Sequence, residues 1–280
     1  MRHLYVFDLD GTLYEGDAHF DYYASLLNDL LPEEKRPMFD KDYEAMKQEK
    51  HPVSIGKAYD VGRDLAVSVD PFTQVVTEAK TWDGENVDPK PLYGEEPVTF
   101  DFDNLVAIGD GWWLPFACAK HYGVSDCYPS YLKTKAYMVS DAFRLEPVPG
   151  VRECLIHLKK KHDIVLLTNS DREDVNRLLG ELHLSDVFDH VITSAKKPAR
   201  TMAHFKDLQQ AYEVRFSEMV SIGDNFMNEI AQALVLGMRA VYIAPSPPQG
   251  SHKDLLHVTS IGEWLAYERQ RVFQTESLDS

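Results

Sequence analysis

Cysteine is scarce in this 280-residue chain. Cys118, Cys127 and Cys154 are odd in number and widely spaced, which argues against a disulfide framework and against a Cys-X-X-Cys metal site. A reducing, cytoplasmic setting is the expectation. Long apolar runs are missing too: no stretch approaches the roughly 20 apolar residues of a membrane span. Met1-Arg2-His3 leads straight into a short apolar segment with no secretory stretch before it, so no membrane association is expected. Positive charge is in deficit, with 29 Lys/Arg against 45 Asp/Glu and a formal charge of −16. That balance opposes attraction to nucleic acid or to an anionic membrane surface. Internal repeats and low-complexity tracts are absent as well. What is present, 44% hydrophobic and 26% charged residues, is an ordinary globular composition, with length enough for one large domain or two modest ones.

The densest signal is Phe7-Asp8-Leu9-Asp10-Gly11-Thr12-Leu13. The preceding run Leu4-Tyr5-Val6-Phe7 is short, aromatic and apolar, which predicts a buried strand. Alternation along an extended chain sends Asp8 and Asp10 toward the same side, and Gly11 permits a sharp turn just beyond them. Two acids at one strand end repel each other unless a cation lies between them, and a hard divalent ion with oxygen ligands meets that need.

From about residue 147 the chain alternates. Helical spacing over Val151–Lys159 precedes a strand at 164–168, and helical spacing at Asp171–Leu182 precedes a strand at 187–193. A helix is expected at Thr201–Tyr212, strands at 219–222 and 240–243, and a helix between them at Asn228–Leu236. Nearly all-apolar strands alternating with helices imply an α/β fold: a parallel, Rossmann-like sheet with helices on both faces. Residues 16–145 read differently, with helical segments at Phe20–Leu31 and Leu132–Phe143, an acidic Pro/Gly-containing loop between Trp82 and Asp103, and 23 Asp/Glu against 13 Lys/Arg. The expected organisation is a discontinuous core, 1–15 and 146–280, interrupted by a mostly α-helical insert at 16–145. The aromatics Tyr22, Tyr23, Trp112, Trp113 and Phe116 read first as the filling of that insert.

Ligands of an open parallel sheet bind beyond the carboxyl ends of its strands, so the residues that follow each strand are informative. Strand one yields Asp8 and Asp10. The strand at 164–167 yields Thr168-Asn169-Ser170, with hydroxyl and amide groups able to hold phosphate oxygens ahead of a helix N-terminus; the same residues also suit a simple helix cap. Next come Lys196-Lys197-Pro198, a source of positive charge, and then Gly223-Asp224-Asn225 with Glu229 a turn further on. Two imitations lie in the insert, Asp101-Phe102-Asp103 and Ile108-Gly109-Asp110-Gly111; lacking the rest of the pattern, they are expected to be loops or turns. His121 and Cys127 are too few to make a zinc site.

In order and type these motifs resemble the haloacid dehalogenase (HAD) superfamily of phosphatases and phosphotransferases. The resemblance rests on Asp8-Leu9-Asp10-Gly11-Thr12-Leu13, Thr168, Lys197-Pro198, and Gly223-Asp224 with an acid at 229. It implies a cap domain at 16–145 and a Mg²⁺ ion held by the Asp8 carboxylate, the Asp10 backbone carbonyl and Asp224. Asp8 would be the nucleophile that forms an aspartyl-phosphate, Asp10 the acid and base, and Thr168, Asn169 and Lys197 the phosphate-binding residues. The implied activity is hydrolysis of a small phosphorylated metabolite. A sugar-phosphate mutase and a catalytically silent binding or regulatory protein are the alternatives. Dehalogenases of the superfamily lack an acid at the position of Asp10, which speaks against carbon–halogen cleavage. Two departures stand out. Glu229 replaces the usual Asp, leaving its contact with the metal, direct or through water, open, and Lys197-Pro198-Ala199-Arg200 breaks the usual lysine pattern, leaving Lys196 as an alternative to Lys197. The sequence carries no signal for oligomeric state.

Overall fold

In the computed structural model the described residues are 2–140, 142, 143, 145, 147–248, 250 and 252–276. The expected boundary residue Glu146, the chain end at 277–280, and Asp141 of the helix expected at 132–143 lie outside them. Strand β1 is Leu4–Phe7. It is followed by α1 (Ala18–Asn28), α2 (Arg36–Lys47), β2 (Lys57–Asp60), β3 (Leu65–Val69), β4 (Val76–Thr81), β5 (Asn86–Val87), α3 (Lys90–Tyr93), β6 (Leu105–Ile108), α4 (Trp113–Tyr122) and α5 (Tyr128–Tyr137). The chain continues through α6 (Val151–Lys159), β7 (Asp163–Leu167), α7 (Arg172–Glu181), β8 (His190–Ile192), α8 (Thr201–Ala211) and β9 (Met219–Gly223). A π-helical turn, Phe226–Ile230, leads into α9 (Ala231–Val235), β10 (Arg239–Ile243), β11 (Leu255–Val258) and α10 (Ile261–Glu276). Two compact units result: Met1–Glu15 with Leu145–Ser280, and Gly16–Arg144.

The first unit is built on a six-stranded sheet in the order β11-β10-β9-β1-β7-β8, with every pairing parallel. Its central strands β1, β7 and β9 are buried at every position, because both faces of the sheet are covered there. Leu4 and Val6 of β1 join Val165, Leu167, Phe205, Leu208, Ile230 and Leu234 on one face. Successive side chains of a strand point to opposite faces, and Phe7 accordingly packs edge-on against Trp264 of α10, ring centroids 5.6 Å apart. The order of strands reverses at β1: β7 and β8 lie to one side, β9 and β10 to the other. Parallel sheets of this kind place ligands at that switch point. Among the described residues no helix is long and apolar enough to cross a membrane.

The second unit corrects the expectation of a mostly helical insert. Besides its helices it contains an antiparallel five-stranded sheet, β5-β4-β3-β2-β6, and part of the expected acidic loop after Trp82 is occupied by β5 and α3. These strands are two to six residues long, and β4 (Val-Thr-Glu-Ala-Lys-Thr) mixes buried and exposed positions without strict alternation. A period-2 pattern over so few residues does not separate from background. The helices bury rings against one another: Trp112 packs against His19, Phe20, Tyr23 and Tyr131. Asp101 accepts from the backbone of Asp103 and Asn104 in a tight turn, and Asp110 accepts from Trp112 N–H just ahead of α4. Both imitation motifs therefore serve as local turn chemistry, and His121 is engaged by Asp64 at 2.9 Å.

Candidate active site

The pairing that builds the sheet also assembles the site. Phe7 stands opposite Ile222 on β9 and Leu166 on β7, and Asp8 N–H extends the ladder by donating to Ile222 O at 2.9 Å. Thus Asp8, Thr168 and Asp224 follow three adjacent strands at the same edge. Beyond β1 the chain turns at Gly11, whose φ is +73°. A Cβ there would overlap the Asp224 carboxylate, so glycine serves two needs at once, a left-handed backbone and room for the acid.

A second zipper carries the lysine. Thr168 N–H donates to Ile192 O, Ala195 N–H to Thr168 O and Ser194 N–H to Ser170 O. The Asn169 amide then clasps the backbone of one residue of the lysine loop, accepting from Lys197 N–H at 2.7 Å and donating to Lys197 O at 3.1 Å. Lys196 is left exposed while Lys197 is buried. The Lys197 ammonium donates to Asp8 Oδ1 at 2.7 Å and to Glu229 Oε1 at 2.5 Å. Asp171, not Thr168-Asn169-Ser170, caps α7, accepting from Asp174 N–H. Thr168 Oγ1 accepts from Ser170 N–H at 3.1 Å.

Glu229 rides on the π-helical turn where an ordinary helix was expected. Such turns cluster at functional sites because the extra residue re-aims side chains. Here the turn is anchored by Thr201 Oγ1, which donates to Asn228 O at 2.6 Å. Glu229 Oε2 accepts from Asn225 N–H at 3.2 Å, and a Cβ on Gly223 would stand only 2.9 Å from that oxygen. The carboxylate expected near a metal therefore lies on Lys197 and the Asn225 amide. Asn225 Nδ2 and Asn228 Oδ1, both buried, have no hydrogen-bond partner among the described residues.

Asp8, Lys197 and Glu229 are each no more than 6% exposed. Burial, together with the charge of Asp10, pushes the Asp8 carboxyl upward against the pull of Lys197. Burial pushes Glu229 up to about 8, with Asp8 adding to the effect. Burial alone would lower Lys197, yet the carboxylates of Asp8 and Glu229 hold it above its ordinary range. One ammonium between two carboxylates leaves a net negative charge in a dry place, which favours uptake of a further cation or a proton. Among the described residues no cluster of three or more His, Cys, Asp or Glu side chains is gathered for a metal. Mg²⁺ does not require one: it takes one or two carboxylates, keeps waters and prefers hard oxygen. The Asp8 and Asp224 carboxylates with the Asp10 carbonyl fit that preference, and the recess over Gly11 is what admits Asp224.

Asp10 is held differently. Tyr14 donates to Asp10 Oδ1 and Ser170 to Asp10 Oδ2, each at 2.7 Å. Tyr14 was not singled out in the sequence, although it stands four residues beyond Asp10 in the motif. Asn225 stands in the strand-end motif Gly223-Asp224-Asn225 and Asn228 at the start of the expected helix, but the sequence assigns neither a role; their only signal is their position beside Asp224 and Glu229.

Residues 3–234 match the family model described as haloacid dehalogenase-like hydrolase. A glyceraldehyde 3-phosphate phosphatase of Pyrococcus furiosus is 31% identical over 103 residues, which are 35% of this chain and 42% of that protein. The match thus spans less than half the length of that curated relative. Among solved structures, a magnesium-bound HAD hydrolase of Bacillus subtilis superposes with a TM-score of 0.54 at 13% identity, covering 95% of this chain and 98% of that one. The L-2-haloacid dehalogenase of Xanthobacter autotrophicus gives 0.50 at 16% identity, covering 96% and 99%. At such identities the structural likeness is one of fold. The family model, spanning most of the chain and meeting the motifs gathered at one sheet edge, establishes that this protein belongs to the haloacid dehalogenase-like hydrolases.

Proposed function

We propose that the protein is a Mg²⁺-dependent phosphatase of small phosphate monoesters, working through an aspartyl-phosphate on Asp8. The observation that carries this reading is the second acid. Asp10 is held by two hydroxyls, two residues beyond Asp8. A halide leaves without a proton, whereas an alkoxide leaving from phosphorus needs one, so an acid in this place serves phosphate-ester chemistry. The partial match to a glyceraldehyde 3-phosphate phosphatase supports a small phosphorylated metabolite as substrate.

In the first step the Asp8 carboxylate attacks phosphorus in line with the leaving group. As the new P–O bond forms, the bond to the ester oxygen breaks; that oxygen keeps the electron pair and takes a proton from Asp10. In the second step water bonds to phosphorus and gives its proton to Asp10, and the electron pair of the P–O bond to Asp8 returns to the Asp8 carboxylate. Thr168 and Lys197 bind the equatorial oxygens, where transition-state charge is spread. Asn169 fixes the lysine loop through the backbone of Lys197. A magnesium ion held by Asp8, the Asp10 carbonyl and Asp224 would offset repulsion between the attacking carboxylate and the phosphate.

A panel of phosphate monoesters assayed with and without Mg²⁺ tests the reading. Release of inorganic phosphate, abolished in Asp8→Asn, is expected. Isomerisation of a hexose phosphate with bisphosphate priming would favour a mutase, which shares both acids, and inactivity toward every ester would favour a binding protein.

A further inference from the structure

Asp10 is only half-buried, yet both of its carboxylate oxygens are tied. Tyr14 Oη holds Oδ1 and Ser170 Oγ holds Oδ2, each at 2.7 Å. Rotating the carboxylate about its last bond would break one of these contacts, so the pair fixes its plane. The donors themselves are well held. Tyr14 is 1% exposed and its backbone forms a bridge with Pro147. Ser170 is 5% exposed, and its carbonyl accepts from Ser194 N–H. The choice of donor also matters. A hydroxyl is both donor and acceptor and turns about its C–O bond, whereas a backbone N–H or an ammonium can only donate. When Asp10 gains a proton, one hydroxyl can reverse and accept it, keeping the same oxygen–oxygen contact. The clamp therefore suits a carboxyl that carries its proton in one step and lacks it in the next.

We propose that Tyr14 and Ser170 are positioning residues that hold Asp10 in line with the leaving-group oxygen and with the attacking water. This rests on the phosphatase reading given above. Misplacing a reacting group by about 1 Å costs on the order of 100-fold in rate. That loss should fall on the reaction in proportion to how much the leaving group needs a proton: an alkoxide needs one, while p-nitrophenolate leaves largely unaided.

The test compares an alkyl phosphate with p-nitrophenyl phosphate in the full-length, Mg²⁺-loaded wild type, Tyr14→Phe, Ser170→Ala and Ser170→Thr. Tyr14→Phe and Ser170→Ala should each lose about 10- to 100-fold in kcat/KM on the alkyl ester and under about threefold on p-nitrophenyl phosphate. Ser170→Thr, which keeps the hydroxyl, should recover most of the loss. Equal losses on both esters, or unchanged kinetics in Tyr14→Phe, would overturn the clamp and leave the phosphatase reading standing. A wild type inert to both esters and to the wider panel would overturn the phosphatase reading and the clamp with it.

Discussion

Lys197 joins two carboxylates, and the burial of all three side chains makes their interaction correspondingly strong in both directions. Removing one partner from a buried ion pair costs about 3–5 kcal/mol, because the remaining charge is left unpaired. Lys197→Met removes the only ammonium held between Asp8 and Glu229 among the described residues, and it should destabilise the protein by about that amount. Glu229→Gln should cost distinctly less, since Asp8 still neutralises the lysine and the amide oxygen can still accept from Asn225. Urea denaturation of both variants in the presence of a chelator measures the difference; equal losses would contradict this account of the triad. At this scale much was legible. Asp8, Thr168 and Asp224 are readable as neighbours because each directly follows an apolar strand, and sheet pairing brings such positions together. The exposed Lys196 and the buried Lys197 differ by one residue, and the clasp by Asn169 that separates them is a tertiary fact. The partnership of Glu229 with Lys197 was hidden for the same reason: the aim of a side chain depends on a π-helical turn that nothing in Phe226-Met227-Asn228-Glu229-Ile230 announces.

Among the elements, β1, β7, β9 and β10 were plain because strands buried on both faces are written as unbroken apolar runs. The strands β2 to β6 were not, being short, mixed and joined by turns. Within their unit a histidine offers a pH test. His51 lies edge-on to Trp82, ring centroids 4.5 Å apart, and its Nδ1 accepts from Val53 N–H at 3.1 Å, a role only the neutral ring can fill. Burial lowers its affinity for a proton below the usual 6.5, outweighing the opposing pull of Asp42. The unfolded chain then binds more protons than the folded one as pH falls, so stability should decline below about pH 6.5. Three of the four tryptophans, Trp82, Trp112 and Trp113, lie in Gly16–Arg144, so tryptophan fluorescence during unfolding follows this unit. The midpoint should fall between pH 7 and pH 5, and His51→Gln should flatten that slope. An unchanged slope in the variant would show that another group governs it.

For the molecule as a whole, the connection between the two units is the informative feature. Tyr14 bridges to Pro147, so the chain on either side of Gly16–Arg144 lies within one backbone hydrogen-bond spacing. Such close ends are what tolerated insertions share. Joining Glu15 to Leu145 through a short Gly/Ser linker should therefore yield a protein that unfolds cooperatively with α/β circular dichroism; a chain lacking a cooperative transition would contradict the independence of the core. The charge deficit is concentrated in the insert, whose 16–145 stretch carries 23 acids against 13 bases.

The claim on which the account turns is that Asp8 carries the phosphoryl group during turnover. Acid-quenching the enzyme while it hydrolyses p-nitrophenyl phosphate with Mg²⁺, followed by mass-spectrometric mapping of the N-terminal peptide, addresses it directly. The account predicts one phosphoryl group on Asp8, absent from Asp8→Asn. Turnover with Asp8 unmodified and the phosphoryl group on another residue, or undiminished turnover in Asp8→Asn, would contradict it.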